Sequence, residues 1–152
     1  MRHFSIACKF SIATICFLTL VVSCTEGSGT SATRANDEGK SLHNPVAATP
    51  ESIASGKKLY EKFCMDCHGV SGDGVSQMAA TMPEGEAKPS NLIDDQWDHG
   101  STDGDIFVDI RDGVGGSGTM KGLNGRPGVG PTEMWHMVNY VRSLHPGSKT
   151  GG

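Results

Sequence analysis

One heptapeptide constrains this 152-residue chain more than any other part of it: Phe63-Cys64-Met65-Asp66-Cys67-His68-Gly69. Two thiols three positions apart, followed at once by an imidazole, make a C-x-x-C-H sequence, the attachment signature of a c-type haem. At the end of a helix, two such thiols can add to the two vinyl groups along one porphyrin edge. The adjacent imidazole then reaches the iron from one face. With five Cys and six His in the chain, chance supplies this pattern about 0.006 times, so composition alone does not explain it. Two other uses of paired thiols compete. A redox C-x-x-C belongs in a βαβ setting, and no parallel-strand pattern surrounds this one. A zinc site wants four ligands, and there is no second Cys pair. The motif therefore implies haem c, bound covalently through Cys64 and Cys67, with His68 delivered to the iron.

The rest of the composition fits a small cofactor-filled domain. Length suggests one domain with flanking segments. Glycine is abundant, at 21 residues, and aromatics are few, so a haem would supply much of the core. The formal charge is −4. No basic stripe or basic helix is present, which argues against nucleic acid as a partner. Cys8, Cys16 and Cys24 lie in or at the end of an N-terminal apolar segment. With Cys64 and Cys67 in the haem motif, no pair is left for a disulfide.

Residues 1–23 read as a secretory signal peptide, with Arg2, His3 and Lys9 ahead of an apolar run from Ser11 to Val22. That run is short for a membrane span, which needs about 20 apolar residues. Val21-Val22-Ser23-Cys24 resembles a bacterial lipobox, with Val21 where Leu is usual. The resemblance implies lipidation of Cys24, export, and a membrane anchor on the periplasmic side. The competing reading is an ordinary cleaved signal, and no clear A-x-A site supports it. Residues 24–49, rich in small and polar side chains without apolar periodicity, are expected to be the lipidated Cys and a flexible linker.

A domain is expected over residues 50–146, with a disordered tail at 147–152. The first helix is expected from about Pro50 to Cys67, with Thr49 as N-cap and Pro50 at its first position. Gly56, Tyr60 and Cys64 stand four apart on one face. Gly56 would weaken a helix by about 1 kcal/mol relative to Ala, a cost that close approach of another helix could offset. Gly69–Gly74 is a glycine-rich turn, and residues 75–91 read as irregular. A further helix starts at Thr102, with Asp105 completing a capping box, and ends at Gly113. Residues 84–112 carry nine acids against Lys88 and Arg111, which reads as a solvated face or as a docking face for a basic partner. Residues 113–119 read as a flexible loop. A last helix is expected over about Pro131–Leu144, with Met134, Met137, Val138, Val141 and Leu144 on one face and Pro146 as a stop.

From about residue 51 to 145 the chain resembles a class I bacterial cytochrome c domain. The resemblance rests on the Gly56/Tyr60 face, the Cys64–Gly69 motif, a later Met, and a last helix with Trp135 and Tyr140. It implies an all-α fold of a few helices around one haem. It also implies a helix crossing of Gly56 and Tyr60 against Met137 and Tyr140, and His/Met axial ligation. Met120, 52 residues after His68 and beyond the helix that starts at Thr102, occupies the family's ligand position, although Lys121 follows it where the family often has Pro. Met78 and Met82 come too early in the chain, Met65 lies inside the motif, and Met134 and Met137 are at core spacing. His99 and His136 are possible ligands, but lone histidines are more often structural. The family also implies a proline carbonyl that accepts a bond from the ligand His, and Pro89 is the candidate.

Together these features lead to a membrane-tethered one-electron carrier that works between redox proteins, not an enzyme, with no small-molecule substrate. Two alternatives remain: a haem enzyme or gas sensor with an open sixth position, and a cytochrome c subunit of a larger oxidase or dehydrogenase complex.

Overall fold

The computed structural model describes residues 37–115 and 120–145. The expected signal peptide, Cys24, and the expected tail at 147–152 lie outside the described residues. Helix α1 spans Pro50–Phe63, with the Thr49 side chain accepting from the Ser52 N–H at 3.2 Å and Pro50 in the first turn. This cap satisfies one of the orphan donors that open every helix. The expected continuous helix to Cys67 is instead broken. Cys64, at φ −119° and ψ −35°, separates α1 from the short α2, Met65–His68. Gly69 then ends α2 at φ 81°, a conformation glycine adopts without steric cost. The segment expected to be irregular contains α3, Gln77–Thr81, capped by Ser76. Its signal was the serine cap, in a stretch too short for apolar periodicity.

Helix α4, Asp103–Asp112, has the expected capping box: Thr102 accepts from the Asp105 N–H and Asp105 accepts from the Thr102 N–H. After it, β1, Gly113–Val114, pairs antiparallel with β2, Met120–Lys121. This ribbon, expected as loop, forms because Gly113 at φ 81° turns the chain back upon α4. Bonds from Leu123 N–H to the Ile110 carbonyl and from Asn124 N–H to the Arg111 carbonyl pin the return. Helix α5 spans Pro131–Leu144 as the apolar spacing requires.

The core sits where α1 crosses α5. Gly56 is buried, and a Cβ there would overlap the His136 carbonyl oxygen and lie 2.8 Å from the Tyr140 Cβ. The two helices can approach this closely only because position 56 has no side chain. Tyr60 and Tyr140 meet at 5.1 Å between ring centroids, tilted by 58°, within the range favoured for aromatic pairs. Met137 and Val138 are fully buried beside them. Phe107 of α4 stacks on Trp135 of α5 at 4.1 Å, which joins the third wall to the crossing.

The linker expectation fails over its second half. Residues 37–49 are a strap packed on α4 and α5. Residues 37–41 are helical, Leu42 and Val46 pack against the core, and Arg111 makes a two-bond ion pair with Glu38. Asn44 Nδ2 donates to Asn139 Oδ1 at 2.8 Å. The Asn139 amide in turn donates to the Val46 carbonyl and to the Ser52 hydroxyl. This segment carries little apolar periodicity because backbone carbonyls and one asparagine, more than a hydrophobic stripe, hold it. Among the described residues no helix is long and apolar enough to cross a membrane.

Candidate functional site

The site grows out of the break between α1 and α2. Because the helix is interrupted at Cys64 and resumed at Met65, Cys64, Cys67 and His68 all lie within one turn and a half of chain. The turn is locked from several sides. The buried Tyr60 hydroxyl donates to the Gly69 carbonyl at 2.7 Å. The Ser76 hydroxyl donates to the Cys67 carbonyl at 2.9 Å, and the Gly74 N–H to the His68 carbonyl at 2.9 Å. The glycine-rich stretch after the motif therefore folds back over it.

Cys64 and Cys67 are free thiols, each partly accessible. Burial, with Cys67 nearby, pushes the Cys64 thiol up to about 12. Cys67 Sγ lies 3.2 Å from Met78 Sδ on α3. The sequence offers no signal for this contact, since Met78 stands in a stretch too short for apolar periodicity.

His68 Nδ1 lies 3.0 Å from the Ser90 carbonyl oxygen. A carbonyl only accepts, so Nδ1 carries the proton and the lone pair for a metal resides on Nε2. Burial lowers the His68 pKa, and the bond to Ser90 opposes that shift. Burial thus favours the neutral ring, and the Ser90 bond holds it oriented, as a metal-ligating imidazole requires. The acceptor is not Pro89, as expected, but the next residue. The Pro89 carbonyl faces the glycine turn, 2.7 Å from where a Cβ on Gly74 would stand. Successive carbonyls in an extended chain point in opposite directions, so the one that reaches His68 belongs to Ser90. The Leu92 N–H, donating to the Gly72 carbonyl at 2.7 Å, holds this segment against the turn.

Met120 opens β2 opposite Val114, half-buried and packed against the core. It follows α4 in the chain. Of the rival donors, His136 is engaged by the Ser52 hydroxyl at 2.7 Å. Met134 and Met137 are core side chains. Among the described residues no cluster of three or more His, Cys, Asp or Glu could hold a metal ion.

Four of the nine acids of the acidic stretch meet a basic side chain or cap a helix within the chain. Asp103 pairs with Arg142 at 2.7 Å, Asp112 with Arg111 at 2.6 Å, and Asp95 lies 3.1 Å from His145. Asp105 is buried in the cap of α4. Asp103, Asp105 and Asp112 therefore have a structural role.

The Cytochrome c family profile matches residues 53–145, well over half of the chain. The chain belongs to the cytochrome c family. Its cofactor is haem c, bound through Cys64 and Cys67, and the free thiols and the oriented imidazole fit that group. This cytochrome is 32% identical over 94 residues to the Cbb3-type cytochrome c oxidase subunit FixP of Bradyrhizobium diazoefficiens. It is 31% identical, again over 94 residues, to the FixP of Bradyrhizobium sp. strain ORS 278. Each match covers 62% of this chain and 28% of the relative, so the cytochrome spans less than a third of the length of the curated relatives it matches.

Among solved structures, the reducing HAO-like protein complex of Kuenenia stuttgartiensis aligns with a TM-score of 0.58 and 28% identity, over 67% of this chain and 47% of that one. Cytochrome CL of Methylophaga aminisulfidivorans aligns with a TM-score of 0.50 and 22% identity, over 82% of this chain and 72% of that one, and shows the shared fold. The all-α cytochrome c architecture expected from the sequence is therefore the one observed.

Proposed function

We propose that this cytochrome is a one-electron carrier whose single haem would be held by Cys64 and Cys67 and ligated by His68 and Met120, leaving no open position for a substrate. The observation that carries the reading is the C-x-x-C-H turn with His68 Nδ1 committed to a backbone carbonyl. It leaves one nitrogen lone pair for iron in a fixed orientation. When bound, the haem supplies a reversible ferrous/ferric couple. The chain's residues do the rest. Cys64 and Cys67 fix the porphyrin edge, and His68 is a basic donor held by Ser90. Met120, a soft and weakly donating thioether on a ribbon pinned to α4, favours the ferrous state and raises the potential.

The reading extends to location. Lipidation of Cys24 would anchor the exported protein to the periplasmic side of a bacterial membrane, with burial worth about 0.8 kcal/mol per CH₂. Because residues 37–49 are built into the domain, only residues 25–36 would separate the anchor from it. The haem domain would then meet its redox partners close to the membrane.

A second reading, a subunit of a larger oxidase complex, is favoured by the FixP relatives. A potentiometric titration of the purified protein, followed on the haem absorption bands, tests the carrier. The account expects one reversible wave with a one-electron slope. Absence of covalent haem, or a titration with more than one wave, would contradict it. Stable co-purification of an oxidase would favour the subunit reading.

A further inference from the structure

Ser90 stands between two hydrogen bonds. Its carbonyl accepts from His68 Nδ1 at 3.0 Å, and its hydroxyl donates to Asp98 Oδ2 at 3.0 Å. Asp98 is exposed, but its neighbour Trp97 packs against the core and lies under the Arg142 guanidinium at 5.2 Å. Arg142 is itself fixed by Asp103 at 2.7 Å. The carboxylate that receives the Ser90 hydroxyl is therefore attached to a packed segment. On the other side, the Leu92–Gly72 bond holds the same stretch to the glycine turn.

We propose that the Asp98–Ser90 bond is a positioning element for the axial imidazole. It holds the Ser90 carbonyl against His68 Nδ1 and so helps set the donor strength of His68 and the reduction potential. The inference rests on His68 being an iron ligand. A firm bond at Nδ1 makes the ring a stronger donor at Nε2, as outer hydrogen bonds do for metal-bound histidines generally. A stronger donor favours ferric iron and lowers the potential. Asp98 thus acts through Ser90, and Ser90 through His68.

The test is a cycle of the holoproteins Ser90→Ala, Asp98→Ala and the double variant, with Asp98→Asn and Ser90→Thr as conservative replacements. Two quantities are read: the potential, and the chemical shift of the His68 ring N–H proton in the reduced, diamagnetic state. Ser90→Ala and Asp98→Ala should each weaken the ring bond and move the N–H resonance upfield. Each should raise the ferrous/ferric ratio at fixed applied potential about threefold, or about 30 mV for one electron. The double variant should move no further than either single one, since all three break the same tie. Ser90→Thr and Asp98→Asn, which keep the donor and an acceptor, should retain the wild-type N–H resonance.

If Asp98 acted only as a surface charge, Asp98→Ala would shift the potential equally with and without the Ser90 hydroxyl, and the N–H resonance would stay in place. That result overturns the inference while leaving His68 ligation intact. A wild-type reduced spectrum lacking a ligated His68 signal would overturn the inference and the ligation reading together.

Discussion

Replacing Gly56 by Ala opposes helix propensity to tertiary packing, and the structure predicts which prevails. In an exposed helix interior this change is favourable by about 1 kcal/mol. Here the new methyl would overlap the His136 carbonyl oxygen and lie 2.6 Å from the His136 carbonyl carbon and 2.8 Å from Tyr140 Cβ. Ordinary carbon contacts begin near 3.5 Å. The first two obstacles are backbone atoms, so no rotamer change relieves them, and α1 and α5 must separate by roughly 1 Å. That separation loosens the fully buried Tyr60, Met137 and Val138. Overpacking of this kind costs about 1–3 kcal/mol, occasionally more. With backbone opposing the methyl, the upper end applies. After the propensity gain the net loss is about 2 kcal/mol, or roughly 8–16 °C in Tm for a domain of this size. Thermal unfolding of the holoprotein, followed by far-ultraviolet circular dichroism, measures it. An unchanged or raised Tm would refute the close crossing.

Other consequences can be checked on the same material. Burial pushes the Asp109 carboxyl up to about 6, with His99 opposing and Asp105 reinforcing the rise. The folded state therefore holds a proton that the unfolded state releases from about pH 4, and stability contributed by this group falls as pH rises through about 4 to 6. Allowing for solvent screening, Asp109→Asn should stabilise the domain by about 1–2 kcal/mol at neutral pH and leave it unchanged near pH 4; denaturant unfolding at the two pH values reads the difference. Asn139→Ala removes the side chain that joins Asn44, the Val46 carbonyl and Ser52. Leaving those groups without their partner should cost about 2–4 kcal/mol, and hydrogen exchange should show faster opening of residues 37–49.

The sequence was most informative where one residue type has one physical use. Thr49 and Thr102 announced helix starts, Gly56 announced a crossing, and Cys64, Cys67 and His68 announced the cofactor. Each of these choices is dictated by local chemistry, so spacing alone exposes it. It was least informative where a backbone group does the work. The acceptor for His68 is a carbonyl, and every residue has one. Only the alternating direction of carbonyls along the chain distinguishes Ser90 from Pro89. The strap over residues 37–49 was hidden for a related reason. Its polar composition reads as linker, while its anchoring depends on Asn139 and Arg111, some 70 to 95 residues away. The ribbon that carries Met120 escaped notice because two residues per strand give no periodicity.

The proposed carrier has a haem closed on both faces by His68 and Met120. Near-infrared absorption of the ferric protein, with carbon monoxide exposure of the ferrous protein, tests it directly. The account predicts a weak thioether-to-iron band in the wild type, its loss in Met120→Ala, and carbon monoxide binding only in that variant. A wild-type protein that lacks the band and binds carbon monoxide readily would contradict the assignment and place the chain among haem proteins with an open iron.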